Sequence, residues 1–65
     1  MRHPFRDPAA RIFGERLAQR RHELGLSQQE LANRLQLAAS ETISRYERGM
    51  REPRLSTIMR MAEAL

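Results

Sequence analysis

Glu41, Ser44, Arg45 and Arg48 lie close together in the run Ser40-Glu41-Thr42-Ile43-Ser44-Arg45-Tyr46-Glu47-Arg48-Gly49. If that run is a helix, each position advances about 100° around its axis. With Ile43 at zero, Tyr46 falls at about −60°, Glu47 at about 40°, Arg48 at about 140°, Glu41 at about 160° and Arg45 at about 200°. Ile43 and Tyr46 then face a core, and Glu41, Arg45 and Arg48 face away from it. Such a face can hydrogen-bond to flat polar edges. A guanidinium fork fits guanine and a carboxylate accepts from the cytosine amino group, as the DNA major groove presents them. A plainer reading fits the same residues: a solvated face on which Glu41 and Arg45 form an i,i+4 ion pair. The helix alone leaves both open.

Little other chemistry is written in the chain. His3 and His22 stand apart, no Ser-His-Asp or paired-carboxylate arrangement occurs, no Gly-rich phosphate loop is present and there is no Cys. The expectation is a binder rather than an enzyme, with no metal and no cofactor, and no small-molecule effector is evident. Twelve basic residues, all of them Arg, against eight acidic ones give a net charge of +4, a balance that favours a polyanionic partner.

These residues need a scaffold. Sixty-five residues make one small domain, which buries only about 60% of the surface its unfolded chain exposes. Without disulfides or thiolate metal sites, close helix packing must hold it together. No apolar run approaches the roughly 18 residues of a membrane span, and the N-terminus has no apolar stretch like a signal peptide's. A cytoplasmic, nucleoid-associated protein is therefore expected, with no membrane partner.

Residues 1–7, with Arg2, His3, Pro4 and Arg6, read as a flexible arm, either a plain disordered end or one that touches DNA. Asp7-Pro8 then supplies a cap followed by proline at the first helical position, which starts a helix running to about Leu24 and stopping at Gly25. Ala10, Phe13, Leu17 and Leu24 form its apolar stripe, and Arg21 lies only about 40° from Leu17. A guanidinium there needs a carboxylate, and Glu47, on the inner side of the central run, has the mirror-image need. The economical solution is an Arg21–Glu47 pair across the core; the alternative is that Arg21 snorkels to the edge. Gly14 interrupts the stripe at a cost of about 1 kcal/mol relative to Ala, which suggests a close approach by another segment.

The second helix has two start devices. Ser27 and Glu30 have capping-box spacing, and Leu26 and Leu31 occupy the staple positions, so a helix is expected over 27–35 with Leu31, Ala32 and Leu35 buried. Its first turn, at Ser27 and Gln28, offers a phosphate site, unless Gln28 and Gln29 are simply solvated. Residues 36–39 make a short connection to the central helix, placed at 40–48 with Ser40 as its cap and Gly49 beyond its end. Two short helices so joined match a helix-turn-helix. Arg51 and Arg54 flank the end of the outward helix. A last helix follows from Leu55 to Leu65, with Leu55, Ile58, Ala62 and Leu65 as its expected buried stripe and Met59 and Met61 towards its sides.

The segments Gly25-Leu26-Ser27-Gln28-Gln29-Glu30-Leu31-Ala32, Thr42-Ile43-Ser44-Arg45-Tyr46-Glu47-Arg48-Gly49 and Arg51-Glu52-Pro53 with Leu55 closely resemble the lambda-repressor-like (Cro-type, or XRE) helix-turn-helix family. Gly14-Glu15-Arg16-Leu17 and Arg21 fit its first helix, so the resemblance covers roughly residues 11 to 65. It implies an all-α, compact domain of four to five helices over residues 8–65 that places its third helix in the major groove of double-stranded DNA. Carried over position by position, it implies base reading by Ser40, Glu41, Ser44 and Arg45. It implies a phosphate or base contact by Gln28 and phosphate contacts by Arg48 and Arg51; Ser27 and Arg54 join the phosphate candidates. It also implies the Arg21–Glu47 pair, which the residues had suggested on their own. The turn departs from the family in lacking a glycine after the second helix and in carrying about one extra residue before Thr42. The expected function is sequence-specific DNA binding by a bacterial or phage transcriptional regulator, such as a repressor, acting as a homodimer on its operator. The alternative is an antitoxin or coactivator-like protein-interaction module of the same fold.

Overall fold

The computed structural model of the chain describes residues 8–65. The cap expected at Asp7 and the arm expected over residues 1–7 lie outside the described residues. Four helices follow one another: α1 (Pro8–Glu23), α2 (Gln28–Arg34), α3 (Ser40–Glu47) and α4 (Leu55–Ala64), with no strand among the described residues. The architecture is all-α. α3 packs against both α1 and α2, over a core of Leu17, Leu31, Ala32, Leu35, Ile43, Tyr46 and Met61, edged by Phe13, Leu26 and Leu37.

The helix ends follow from local chemistry. At the start of α2 the Glu30 N–H donates to the Ser27 hydroxyl oxygen (3.0 Å) and the Ser27 N–H donates to the Glu30 carboxylate (2.8 Å), which closes the capping box. The bonds from Ser27 hold the Glu30 carboxyl below its ordinary range. The contribution of this cap is therefore present above the ordinary carboxylate pKa and fades as pH falls through the lowered one.

Three helices end in the same way. The residue two beyond the helix turns left-handed, at Gly25 (φ 69°), Gln36 (φ 59°) and Gly49 (φ 71°). In each case two N–H groups reach back to orphan carbonyls: Leu26 to Arg21 and Gly25 to His22, Leu37 to Ala32 and Gln36 to Asn33, Met50 to Arg45 and Gly49 to Tyr46. This is the Schellman arrangement. Gln36 therefore performs the turn for which the family uses glycine, at a backbone cost of roughly 1–2 kcal/mol for a residue with a Cβ. The motif also carries its apolar contact, because Leu26 and Leu37, one residue further on, pack against the core.

Three expectations are corrected. Ser40 does not cap α3: Ala39 is the extended residue before it (φ −148°, ψ 147°), no side chain caps the helix, and Ser40 is its first residue. The extra residue in the turn puts an alanine where the acceptor was expected. Leu24 does not join the stripe of α1 but is 39% exposed, because the turn at Gly25 leaves it outside and brings Leu26 inward. The stripe of α4 is rotated. Thr57 and Met61 are buried, while Leu55 (72%), Met59 (62%) and Ile58 (39%) are exposed. Apolar residues occupy more than half of this helix's circumference, so their spacing does not select one face. Met61 joins the core cluster, and two arginines tie the helix in this orientation: Arg20 holds the Leu65 carbonyl oxygen with Nε (3.0 Å) and Nη2 (2.7 Å), and Arg60 donates to the Leu35 carbonyl oxygen (3.4 Å).

Candidate nucleic-acid interface

The position of α3 is set by one buried carboxylate. Arg21 donates to Glu47 through Nε (2.6 Å to Oε2) and Nη2 (3.1 Å to Oε1), the two side chains being only 10% and 8% exposed. The remaining Arg21 nitrogen, Nη1, donates to the Leu26 carbonyl oxygen (2.8 Å), and Gln28 Nε2 donates to Glu47 Oε1 (3.0 Å). Hydrogen bonding to Glu47 raises the Arg21 pKa; burial opposes the rise and the Glu47 charge reinforces it. Every proton and lone pair in such a cluster needs a partner in low dielectric, and no buried side-chain nitrogen or oxygen among the described residues is left without one. α1, the start of α2 and α3 are thereby locked at one point.

Gly14 gives the second constraint. A Cβ there would overlap the Tyr46 carbonyl oxygen and lie 2.7 Å from that of Glu47, so α3 lies on α1 at a distance that only glycine permits.

Held this way, α3 turns Glu41, Arg45 and Arg48 to solvent, while Ser40 and Ser44 sit half-buried on its flank. Arg45 Nη2 donates to Glu41 Oε2 at 3.2 Å, so in the free chain the i,i+4 pair forms on the face that also suits base edges. Arg48 Nε leans on the Ser44 carbonyl oxygen (3.4 Å). Arg51 and Arg54 are exposed beyond the end of α3. At the start of α2 the structure uses two phosphate candidates internally: the Ser27 hydroxyl oxygen accepts from Glu30, and the Gln28 amide is turned onto Glu47. In the free chain the Gln28 amide, expected at a phosphate, is thus held on Glu47, because a buried carboxylate with a free lone pair attracts the nearest donor.

One residue beside this surface had not been singled out. The Gly49 position abuts Arg11, at 3.0 Å from its Cα and 3.3 Å from its backbone nitrogen for a Cβ built there. The available signal was the i, i+3, i+7 spacing of Arg11, Gly14 and Ala18, in which two small residues mark the side of α1 that meets another helix.

A helix with an Arg- and Glu-bearing outer face, fixed on two supporting helices and reached from α2 through a short turn, is a helix-turn-helix DNA-binding module. The comparison with known families agrees: a helix-turn-helix domain model matches residues 12–65, and the chain belongs to that family, within the lambda-repressor-like group. No curated protein matches the chain. No helix of the described residues is long and apolar enough to cross a membrane.

Proposed function

We propose that this chain binds operator DNA sequence-specifically as a bacterial or phage transcriptional regulator of the XRE type, acting in the cytoplasm as a repressor and without catalysis. The observation that carries the reading is the outward face of α3, presented rigidly by the Arg21–Glu47 network. Ser40, Glu41, Ser44 and Arg45 are the base readers, and Arg48, Arg51 and Arg54 the phosphate contacts. Ser27 and the second amide hydrogen of Gln28 add to the latter. Arg45→Ala is expected to weaken binding by about 1–3 kcal/mol and to relax preference at one base position, whereas Arg48→Ala weakens all sequences alike. Competition between duplexes selected from a random pool and unrelated ones checks this. Uniform losses in both variants would remove Arg45 from base reading.

The working unit in this reading is a homodimer on DNA. One α3 spans about four to five base pairs, too few for nanomolar affinity against a genome of competing sites. The exposed strip Leu55, Ile58, Met59 and Ala62 on α4 borders an open apolar groove of about 260 Å³ against Phe13 and Leu17. Arg16 and Arg20 line this groove on the α1 side, Arg20 being already paired with Glu23, and Glu63 is exposed on α4. A two-fold axis parallel to α4 would set the basic edge of one copy against the acidic edge of the other, as an isologous contact requires. Half-site centres are then expected one helical turn apart, about 34–36 Å, or a multiple of it. Sedimentation of the chain with duplexes carrying one and two half-sites tests the pairing: tighter binding of two copies on the double site is expected, and equal affinity with one copy on each would refute it.

A further inference from the structure

We propose that Arg11, at the start of α1, is a further DNA-contacting residue that continues the arginine track of Arg48 and Arg51 onto a second helix by binding a backbone phosphate. The inference rests on the DNA-binding reading above and adds to it a residue outside the helix-turn-helix itself.

The geometry comes from Gly49. Its left-handed backbone closes α3, and the space where its Cβ would stand is taken by α1: Arg11 Cα at 3.0 Å, its nitrogen at 3.3 Å and its Cβ at 3.4 Å. The first turn of α1 therefore rests on the residue that joins Arg48 to the turn bearing Arg51. Arg48 Cα is one peptide step, about 3.8 Å, from Gly49 Cα, and Arg51 only two residues beyond. The bases of three arginine side chains thus crowd around one glycine.

Their charges are not matched locally. Arg11 is exposed and makes no ion pair within 4.0 Å among the described residues, although Glu15 stands one turn along the same helix; the ion pairs present are Arg20–Glu23, Arg21–Glu47 and Arg45–Glu41. Glu47 is spent on Arg21 and Glu41 on Arg45, which leaves the exposed Glu52 as the acid of the connecting turn. Arginines rooted this close together, with none of them in an ion pair among the described residues, form a basic edge, and such an edge favours a polyanion. A DNA strand carries such charges at regular intervals, and each phosphate neutralised releases condensed counterions. A guanidinium anchored on a different helix from Arg48 and Arg51 would bind phosphate without reading a base, since phosphate contacts position the protein and base contacts specify the sequence.

The experiment measures the salt dependence of duplex binding by the full chain for wild type, Arg11→Gln, Arg11→Lys and Arg51→Ala, with the melting temperature of each. For Arg11→Gln the slope of log K against log salt is expected to become shallower by about 1. Its affinity should fall by the same factor on selected and unrelated duplexes while its melting temperature is unchanged, and Arg11→Lys should keep the wild-type slope. If Arg11→Gln keeps the wild-type slope while Arg51→Ala loses a unit, the assignment of Arg11 is overturned and the DNA reading stands. A loss confined to the selected duplex would likewise overturn the phosphate assignment. A wild-type slope near zero would overturn the DNA reading itself.

Discussion

Arg21→Ala is expected to lower the stability of the domain by roughly 3–5 kcal/mol, and Glu47→Ala by a similar amount, because each leaves the other charge buried without its partner. For a domain of 65 residues, where total stability is of the order of 5 kcal/mol, either change brings the chain to the edge of unfolding. The Glu47 carboxylate accepts from both Arg21 and Gln28, and Arg21 also holds the Leu26 carbonyl oxygen, so losing the guanidinium strands a carbonyl as well as a carboxylate. Urea melts of the two single variants and of the double variant measure the coupling: the double is expected to be no less stable than either single. Strictly additive losses would refute the coupling. Replacing both residues by apolar ones, Arg21→Met with Glu47→Leu, is expected to recover much of the stability, since removing a buried pair outright avoids the unpaired charge.

That network links the fold to the site. α3 has eight residues, too few to hold itself as an isolated helix, so the direction of Glu41, Arg45 and Arg48 depends on what lies beneath them. Variants of Arg21 or Glu47 should therefore lose DNA binding together with helix content, whereas Arg45 and Arg48 variants should lose binding with the fold intact. Circular dichroism on the same samples separates the two groups.

The parts legible in the sequence were those fixed by local rules or by a charge that had to be answered. Ser27 and Glu30 specify their cap within four residues, Gly25 and Gly49 mark two left-handed turns, and a buried arginine one turn from Leu17 demanded a carboxylate. The illegible parts depended on competition between similar options. Around α4, Leu55, Ile58, Met61 and Leu65 are equally good core residues, and only the tertiary packing shows that Met61 joins the core, with Arg20 and Arg60 on the carbonyl oxygens of Leu65 and of Leu35 at the end of α2. At the turn, one added residue moved Ala39 into the capping place, and Gln36 takes the left-handed position without the glycine that would have marked it. Gln28 could face a phosphate or Glu47, and only the position of α3 shows that Glu47 is within its reach.

Gly14→Ala should test how closely α3 rests on α1, because two effects of opposite sign compete there. Helix propensity favours alanine by about 1 kcal/mol, so on an open helix face the change would stabilise. At this position the new methyl group meets the backbone oxygens of Tyr46 and Glu47, the latter at 2.7 Å. Backbone oxygens cannot rotate away as a side-chain tip would, so the overpacking cost falls at the upper end of the 1–3 kcal/mol range. A net loss of about 2 kcal/mol follows. Relief requires α3 to lift from α1, and that motion stretches the Arg21–Glu47 contact from its 2.6 Å, so the loss should grow rather than shrink as the helix moves. The same lift tilts the outward face, so DNA affinity should fall beyond what the unfolded fraction explains. Glu15→Ala, on the exposed neighbouring position, should change stability by no more than about 0.5 kcal/mol. Thermal melts of both variants decide the matter: a melting temperature for Gly14→Ala above that of the parent would mean that propensity had won and that α3 does not sit on the glycine.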